Sequence, residues 1–247
     1  MPISERPVVL ITGAARRVGR VIARTLHDAG YDLALHYRNG KAEAEQLAAE
    51  LQSRRADSVL LLGCELAQVA ELNKLVLRTV QRFGRLDGLI NNASSFYPTA
   101  IGEASEQQWD ELFASNAKAP FFLSQAAAPH LRAARGAIVN LVDIYAERPL
   151  PRHTIYCMAK AANAMLVMSL AKELGPEVRV NGVAPGAVLW PEAGKTSAEQ
   201  QELIGKSALR RAGAPEDVAG AVLYLLRDAT FVTGQILKVD GGRMLTV

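Results

Sequence analysis

Tyr156 and Lys160 stand four residues apart in the sequence Tyr-Cys-Met-Ala-Lys. If this stretch is helical, residues i and i+4 lie on one face, so the phenol and the ammonium group point the same way. A nearby ammonium favours the phenolate, and we therefore expect Lys160 to lower the pKa of Tyr156. Such a phenol is suited to act as a general acid near neutral pH. The same spacing also arises by chance on helix surfaces, so the surrounding motifs must decide.

A glycine-containing segment lies near the N-terminus. The apolar run 8–12 is typical of a strand buried on both faces, and residues 13–19 lead from it into a helical pattern. A strand, a tight glycine turn and a helix together present backbone N–H groups and a helix N-terminus to a pyrophosphate. Arg17 stands where a glycine is usual, so an ordinary βα turn is equally compatible with this segment.

The second predicted strand, residues 32–38, carries basic residues at its C-terminal end. Folds that bind NAD place an acid there for the ribose 2′-hydroxyl, but the only acid, Asp32, is at the opposite end. His36 and Arg38 hold that position, and Arg17 could reach it. A guanidinium suits a phosphate, which favours NADP over NAD; solvated basic residues on a loop are the alternative. Glu65, after the third strand, is either an adenine contact or a surface acid.

Two further strand ends carry residues that suit a site. Phe96 follows the fourth strand in a loop of small polar residues, which is not the setting of an ordinary core residue. Asp143 closes the fifth strand, where a carboxylate is costly unless it is used or paired. Helices are predicted near 106–114 and 116–133, with Asn116 between them. Tyr156 opens the next helix, with Ala161, Met165 and Leu170 expected on its inner side.

Strands alternating with helices predict an α/β fold, a Rossmann-like doubly wound parallel sheet of seven strands with helices on both faces. The predicted strands are 8–12, 32–38, 58–62, 86–91, 136–142, 178–183 and 236–239. Ligands bind such sheets beyond the carboxyl ends of the strands. We expect one crevice there, lined by Gly13, Arg17, Arg38, Asn91, Asp143 and Val183. The polar stretch of about 190–206 is expected to form a lid. The sequence does not say which contacts the lid segment 187–206 makes.

Composition excludes several classes of protein. The chain has 247 residues, 49% of them hydrophobic, and a net charge of +3, so one domain spanning 1–247 is expected and a nucleic-acid surface is not. Cys64 and Cys157 have no metal or redox spacing and are expected to be reduced thiols. Without a signal-peptide segment or a membrane-spanning apolar run, the protein is expected to be soluble and cytoplasmic.

Taken together, these motifs resemble the short-chain dehydrogenase/reductase family from Val8 almost to the C-terminal end. The resemblance is carried by Thr12-Gly13 with Gly19, Asn91-Asn92-Ala93, Asn116, Tyr156 with Lys160, Asn181-Gly182-Val183, Pro185-Gly186 and Asp240-Gly241-Gly242. In this order and spacing the motifs are highly specific.

Two departures from the broad family point to its pteridine reductase branch. Arg17 replaces the middle glycine of the loop, and Asp143 replaces the serine that usually precedes the tyrosine. The branch also resembles this chain in His36-Tyr37-Arg38 and in the run 92–98. The serine usual shortly after the His-Tyr-Arg triplet is missing, with Asn39-Gly40 in its place.

The resemblance implies hydride transfer from NADPH to a C=N bond of an oxidised or dihydro pterin or of a folate. The implied catalytic residues are Asp143, Tyr156, Lys160 and Asn116, the last of which would steady Lys160 through a water. The implied cofactor contacts are Gly13, Arg16, Arg17, Gly19, His36, Tyr37, Arg38, Glu65, Leu66, Asn92, Ala93, Ser94, Lys160, Pro185 and Gly186. The implied substrate contacts are Arg17, Ser95, Phe96, Asp143 and Tyr156.

The resemblance further implies a homotetramer formed through helices near 105–133 and 154–174. Two other functions stay open. A carbonyl reductase of the same fold, such as a 3-oxoacyl carrier-protein reductase, is disfavoured by Asp143. A non-catalytic regulator that senses NADP is disfavoured by the intact pair of Tyr156 and Lys160. The sequence does not say which pterin or folate is the substrate.

Overall fold

The computed structural model describes residues 4–188, 201 and 204–245. In this part of the chain one sheet is formed by seven parallel strands in the order β3-β2-β1-β4-β5-β6-β7, which confirms the predicted fold. The strands are β1 Val8–Ile11, β2 Asp32–Tyr37, β3 Val59–Gly63, β4 Gly88–Asn91, β5 Ala137–Leu141, β6 Arg179–Pro185 and β7 Ile236–Val239. The order reverses between β1 and β4, and ligands bind such sheets at this point.

Helices connect the strands. Their bounds are α1 Arg17–Asp28, α2 Lys41–Arg54, α3 Val69–Phe83, α4 Glu106–Phe113, α5 Ala119–Ala134, α6 Thr154–Leu174 and α7 Pro215–Leu223. A π-helical turn, Ala114–Lys118, joins α4 directly to α5, so Asn116 lies within a continuous helical segment rather than between two helices. Asp143 leads into a short 3₁₀ turn, Ile144–Ala146, and a second π-helical turn, Tyr224–Asp228, follows α7.

The core lies in two layers because side chains alternate across each strand. Val9 and Ile11 pack on one face of the sheet with α1, α2 and α7, whereas Leu10 packs on the other with α3, α5 and α6. Strands covered on both faces are apolar throughout, as the sequence of β1 shows. The two layers fix the carboxyl ends of the strands, from which the candidate site is built.

Helix α6 shows where the sequence-based reasoning was wrong about orientation. Leu170 is buried as predicted, but Met165 is 57% exposed and Ala161 is also exposed. The inner face instead carries Tyr156, Lys160, Asn163 and Val167. The helix is apolar nearly all round, so hydrophobic periodicity does not identify its buried side.

Helix α6 also bears on the prediction that no segment could span a membrane. The helix has 21 residues and a mean hydropathy of 1.3 in its most apolar window, so by length and composition alone it could cross a membrane. The prediction that no apolar run is long enough is therefore wrong. Half of the window is buried inside the protein, which is typical of a core helix. The predicted lid, 190–206, lies outside the described residues except for 201 and 204–206.

Candidate active site

The loop after β1 is held closely against the end of β4. Gly13 has a φ of +63°, in the left-handed region that glycine adopts without strain. The side chain of Asn92 donates to the carbonyl oxygens of Thr12 and Gly13 at 2.8 and 3.0 Å. A Cβ on Gly19 would lie 2.2 Å from the Gly13 carbonyl oxygen, so no side chain fits there. The backbone therefore forms the surface of this loop.

Arg17 also has a left-handed backbone, with a φ of +52°. This explains why a glycine is usual at its position, since a residue with a Cβ is strained in that region. Arg17 begins α1, and its side chain is exposed, as is that of Arg16, which pairs with Glu43. Both arginines thus stand at the N-terminus of α1.

The His36 imidazole is buried beneath the same loop, at 1% exposure. Its Nδ1 accepts the N–H of Gly13 at 3.2 Å, and its Nε2 donates to the carbonyl oxygen of Cys64 at 3.2 Å. Burial lowers the pKa of His36 to about 4, so the ring is neutral. Both ring nitrogens are therefore engaged within the protein, and the expected cofactor contact of His36 stays a prediction. Its structural role is to hold the loop against β3.

Arg38 is exposed and lies just beyond β2, which ends at Tyr37 and not at the predicted residue 38. Its guanidinium lies 3.8 Å from the Glu65 carboxylate, and both side chains border a cavity of about 640 Å³. The ring of Tyr37, the residue before Arg38, packs against Gly63, where an added Cβ would come within 2.9 Å of the ring. Leu66 is buried in the core, so only its backbone is left to contact a ligand. Arg38 and Glu65 thus line the same cavity.

This cavity is also bordered by Ser94, Ser95 and Phe96. Phe96 is 47% exposed, which confirms that it is not a core residue. Its ring stacks on His153 with centroids 4.7 Å apart and meets Tyr156 edge-on at 4.8 Å. His153 was not anticipated, and no motif in the sequence would have identified it.

The centre of the site is formed by Asp143, Tyr156 and Lys160. The Tyr156 hydroxyl donates to Oδ2 of Asp143 at 2.7 Å, and the backbone N–H of Tyr145 donates to Oδ1 at 2.9 Å. Lys160 is buried, and its Nζ donates to the carbonyl oxygen of Leu141 at 2.8 Å. Since Leu141 ends β5 and Tyr156 lies in the first turn of α6, the three side chains join the strand end to the helix.

Burial dominates the ionisation of these groups. Burial and then the neighbouring Asp143 carboxyl raise the pKa of Tyr156 well above its usual value. Burial lowers the pKa of Lys160 to about 8, against the opposing effect of Asp143, and burial also raises the pKa of Asp143. The prediction that Lys160 lowers the pKa of Tyr156 is therefore wrong for the protein alone. Near neutral pH the phenol holds its proton, as a proton donor must.

Asn116 is fully buried in the π-helical turn. Its side chain donates to the backbone carbonyl oxygens of Ser95 and Leu112, both at 2.9 Å. Its backbone carbonyl oxygen accepts from the Asn163 side chain. The expected link to Lys160 through a water stays a prediction. Asn163 was not among the predicted site residues, because a polar residue on a helix gives no sign of its partners.

Not every predicted strand-end residue reaches the crevice. Asn91 is buried and donates to Asn140, and Val183 is buried inside β6, which continues to Pro185. Gly186 follows, with its N–H donating to Val239 and with Asp240 so close that a Cβ would lie 2.8 Å away. Asn91 and Val183 were thus wrongly expected in the crevice, because strands that end at the same edge still alternate their side chains.

The chain is similar to known reductases over nearly its full length. A family model described as enoyl-(acyl carrier protein) reductase matches residues 13–244. Pteridine reductase 1 of Leishmania tarentolae is 36% identical over 97% of this chain and 97% of its own. A 3-oxoacyl-[acyl-carrier-protein] reductase of Staphylococcus aureus is 34% identical over 94% of this chain and 96% of its own. The similarity therefore extends to reductases named for different substrates.

Proposed function

The chain belongs to the short-chain dehydrogenase/reductase family of oxidoreductases, and from this premise we propose that it is a pteridine reductase that uses NADPH. The proposed reaction reduces a C=N bond in an oxidised or dihydro pterin or in a folate. A hydride is added to the carbon of that bond and a proton to the nitrogen. The observation that carries this proposal is the carboxylate of Asp143 bonded to the Tyr156 hydroxyl.

The residues around the first loop fit a dinucleotide. Gly13 and Gly19 leave a backbone surface without side chains. Helix α1 has Arg16 at its N-cap position and no side-chain cap, so the first N–H groups of the helix suit an anion. Arg38 supplies a guanidinium for a 2′-phosphate, and Glu65 lies beside it. When bound, NADPH supplies the hydride.

The presence of Asp143 favours a reaction that delivers a proton to a ring nitrogen over ordinary carbonyl reduction. Reduction of a carbonyl needs a proton on oxygen, for which a serine and a tyrosine suffice. Here the Tyr156 hydroxyl donates to the Asp143 carboxyl group, and burial raises the pKa of that carboxyl, which favours proton uptake by it. We assign Tyr156 as the proton donor and Asp143 as its relay partner. The Lys160 ammonium group, which donates to the carbonyl oxygen of Leu141, supplies a positive charge near them.

Phe96 supports a flat substrate. Its half-exposed ring stands edge-on to Tyr156 and is backed by His153, so a heterocycle lying against its open side would meet the phenol at its edge. Offset and edge-on contacts of aromatic rings are favourable at such distances. Ser95 borders the same cavity and is assigned as a polar contact for the ring, together with Arg17.

A substrate panel tests the proposal. Purified protein is assayed with NADPH and dihydrobiopterin, dihydrofolate or an acetoacetyl thioester, and Asp143→Asn is the matched variant because its amide oxygen still accepts from the Tyr145 N–H. We expect turnover of a pterin or folate, and about a hundredfold lower kcat in Asp143→Asn with an unchanged unfolding midpoint. Full activity of the variant would remove the carboxylate from the mechanism.

A carbonyl reductase of the same fold is the second candidate, because the Staphylococcus aureus relative is named as a 3-oxoacyl-[acyl-carrier-protein] reductase. Turnover of the thioester without any turnover of pterins would establish this candidate and overturn ours.

We further propose a cytoplasmic homotetramer. Exposed apolar side chains on the helices expected at its interfaces support that assembly: Trp109, Phe121, Met158, Met165 and Met168.

A further inference from the structure

Four buried asparagines connect the elements that carry the candidate site. Asn91, Asn116, Asn140 and Asn163 are at most 3% exposed, and they lie on β4, the π-helical turn, β5 and α6. Asn91 donates to Asn140 at 2.8 Å, and Asn140 donates to Asn163 at 2.8 Å. Asn163 then donates to the backbone carbonyl of Asn116 at 2.9 Å, and the Asn116 side chain donates to that of Ser95 at 2.9 Å.

The direction of these bonds is fixed by their last two acceptors. Backbone carbonyls only accept, so Asn116 and Asn163 must each present an NH₂ group to them. The Asn163 oxygen therefore faces Asn140, whose NH₂ meets it, and the Asn140 oxygen faces Asn91. Every amide thus donates onward in one sense, an arrangement in which each bond polarises the next. Ser95 follows Asn91 by four residues, so this asparagine ring, formed by the four asparagines and Ser95, returns to the segment that follows β4.

Asn163 holds the central place in this ring. In a continuous α-helix the Asn116 carbonyl would accept from the N–H of residue 120, but that residue is Pro120 and has none. The Asn163 amide supplies a donor in its place. Asn163 also lies one turn beyond Lys160 on α6, and its partner Asn140 lies on β5, three residues before Asp143.

We propose that Asn163 is a positioning residue that sets helix α6, and with it Tyr156 and Lys160, against Asp143 and the Asn116 turn. Losing it leaves the buried Asn140 NH₂ group without its acceptor and the Asn116 backbone carbonyl without its side-chain donor, which is costly in an apolar setting. The helix then shifts relative to β5, and the Tyr156 hydroxyl is displaced from the Asp143 carboxylate. The inference rests on the proposed roles of Tyr156 and Lys160 but not on the choice of substrate.

The test compares Asn163→Leu with Asn181→Leu. Asn181 is an equally buried asparagine on β6, whose amide bonds Val232 and Gln235, and it lies outside the ring. With whichever substrate the wild type turns over, Asn163→Leu should lower kcat by about tenfold or more and change KM by less than about twofold, since misplaced groups cost chemistry rather than binding. Asn181→Leu should keep the wild-type kcat.

A second variant gives a signature that a merely structural residue would not. Asn163→Asp retains an oxygen for Asn140 but, when ionised, has no donor for Asn116. Burial raises the pKa of the introduced carboxyl, so acidification should protonate it and restore the donor. The kcat ratio of Asn163→Asp to wild type should therefore rise as pH falls, whereas that of Asn163→Leu stays flat. A flat ratio for both variants, or equal losses in Asn163→Leu and Asn181→Leu, would overturn the inference.

Amide hydrogen exchange supplies a readout that needs no substrate. In Asn163→Leu, the amides of the Ala114–Lys118 turn should exchange at least about tenfold faster than in wild type, because the turn loses its anchor. They should exchange at the wild-type rate in Asn181→Leu. Unchanged exchange in Asn163→Leu would contradict the proposed anchoring. A protein that reduced only the thioester would refute the pterin assignment and leave this test intact.

Discussion

His36 should make the protein sensitive to mild acid. In the folded protein its pKa is about 4, against an ordinary value of 6.5, because the ring is buried between Gly13 and Cys64. Between these two values the unfolded chain binds a proton that the folded protein does not, so the free energy of unfolding falls as the pH falls through this window. The two pKa values give a loss of about 2 kcal/mol on going from about pH 7.5 to pH 5.

Loss of stability should be accompanied by loss of the loop geometry. A protonated ring has no acceptor for the Gly13 N–H, so the first glycine loop should loosen before the whole protein unfolds. NADPH binding, followed by its fluorescence, should therefore weaken over the same pH range. This second effect connects the buried ring to the proposed cofactor site.

The assay is urea unfolding at a series of pH values, with His36→Asn as the variant. An asparagine oxygen can still accept from Gly13 but does not titrate, so the variant should lose the extra acid sensitivity of about 2 kcal/mol. His130→Asn, near the C-terminal end of α5, is the control and should keep the wild-type pH dependence. The reasoning is refuted if wild type and His36→Asn lose stability in parallel between about pH 7 and 5.

Two further predictions concern the cofactor site. Arg38→Ala should weaken NADPH binding by about tenfold or more and leave NADH binding nearly unchanged, because a charge-assisted bond to the 2′-phosphate is lost; equal losses in titrations with both cofactors would show that the phosphate is misplaced. Gly19→Ala should destabilise the protein by about 1–3 kcal/mol in urea unfolding, since its Cβ would meet the Gly13 carbonyl oxygen at 2.2 Å. Gly220→Ala, in α7 with open space around its Cβ, should instead be stabilising by up to about 1 kcal/mol, and a similar effect of both changes would contradict the crowding at Gly19.

The sheet was predictable because parallel strands covered on both faces are largely apolar runs: β1 is apolar throughout, and β2 and β5 are apolar apart from Asp32, His36 and Asn140. The carboxyl ends of these strands then located Gly13, Arg38 and Asp143 without any knowledge of side-chain contacts. The roles of Asp143 and Tyr156 in the site followed from a resemblance rather than from periodicity, and the structure supplies the pairing of their side chains. The structure now gives that pairing a distance of 2.7 Å.

The missed features depend on contacts between segments distant in sequence. His36 and Asn163 look like solvated polar residues until β3 and the π-helical turn are placed beside them. The buried side of α6 was mistaken because both its sides are apolar. The pKa of Tyr156 was predicted from one neighbour, whereas burial and Asp143 together decide it.

At position 17, the stability of the fold and the proposed cofactor site favour different residues. The left-handed backbone of Arg17 costs about 1–2 kcal/mol relative to a relaxed conformation, a penalty that glycine would escape. Selection for heat resistance alone should therefore favour Arg17→Gly, and the more robust protein would lack a cation beside the first turn of α1. Laboratory evolution of this chain should accordingly be screened for turnover as well as for melting temperature.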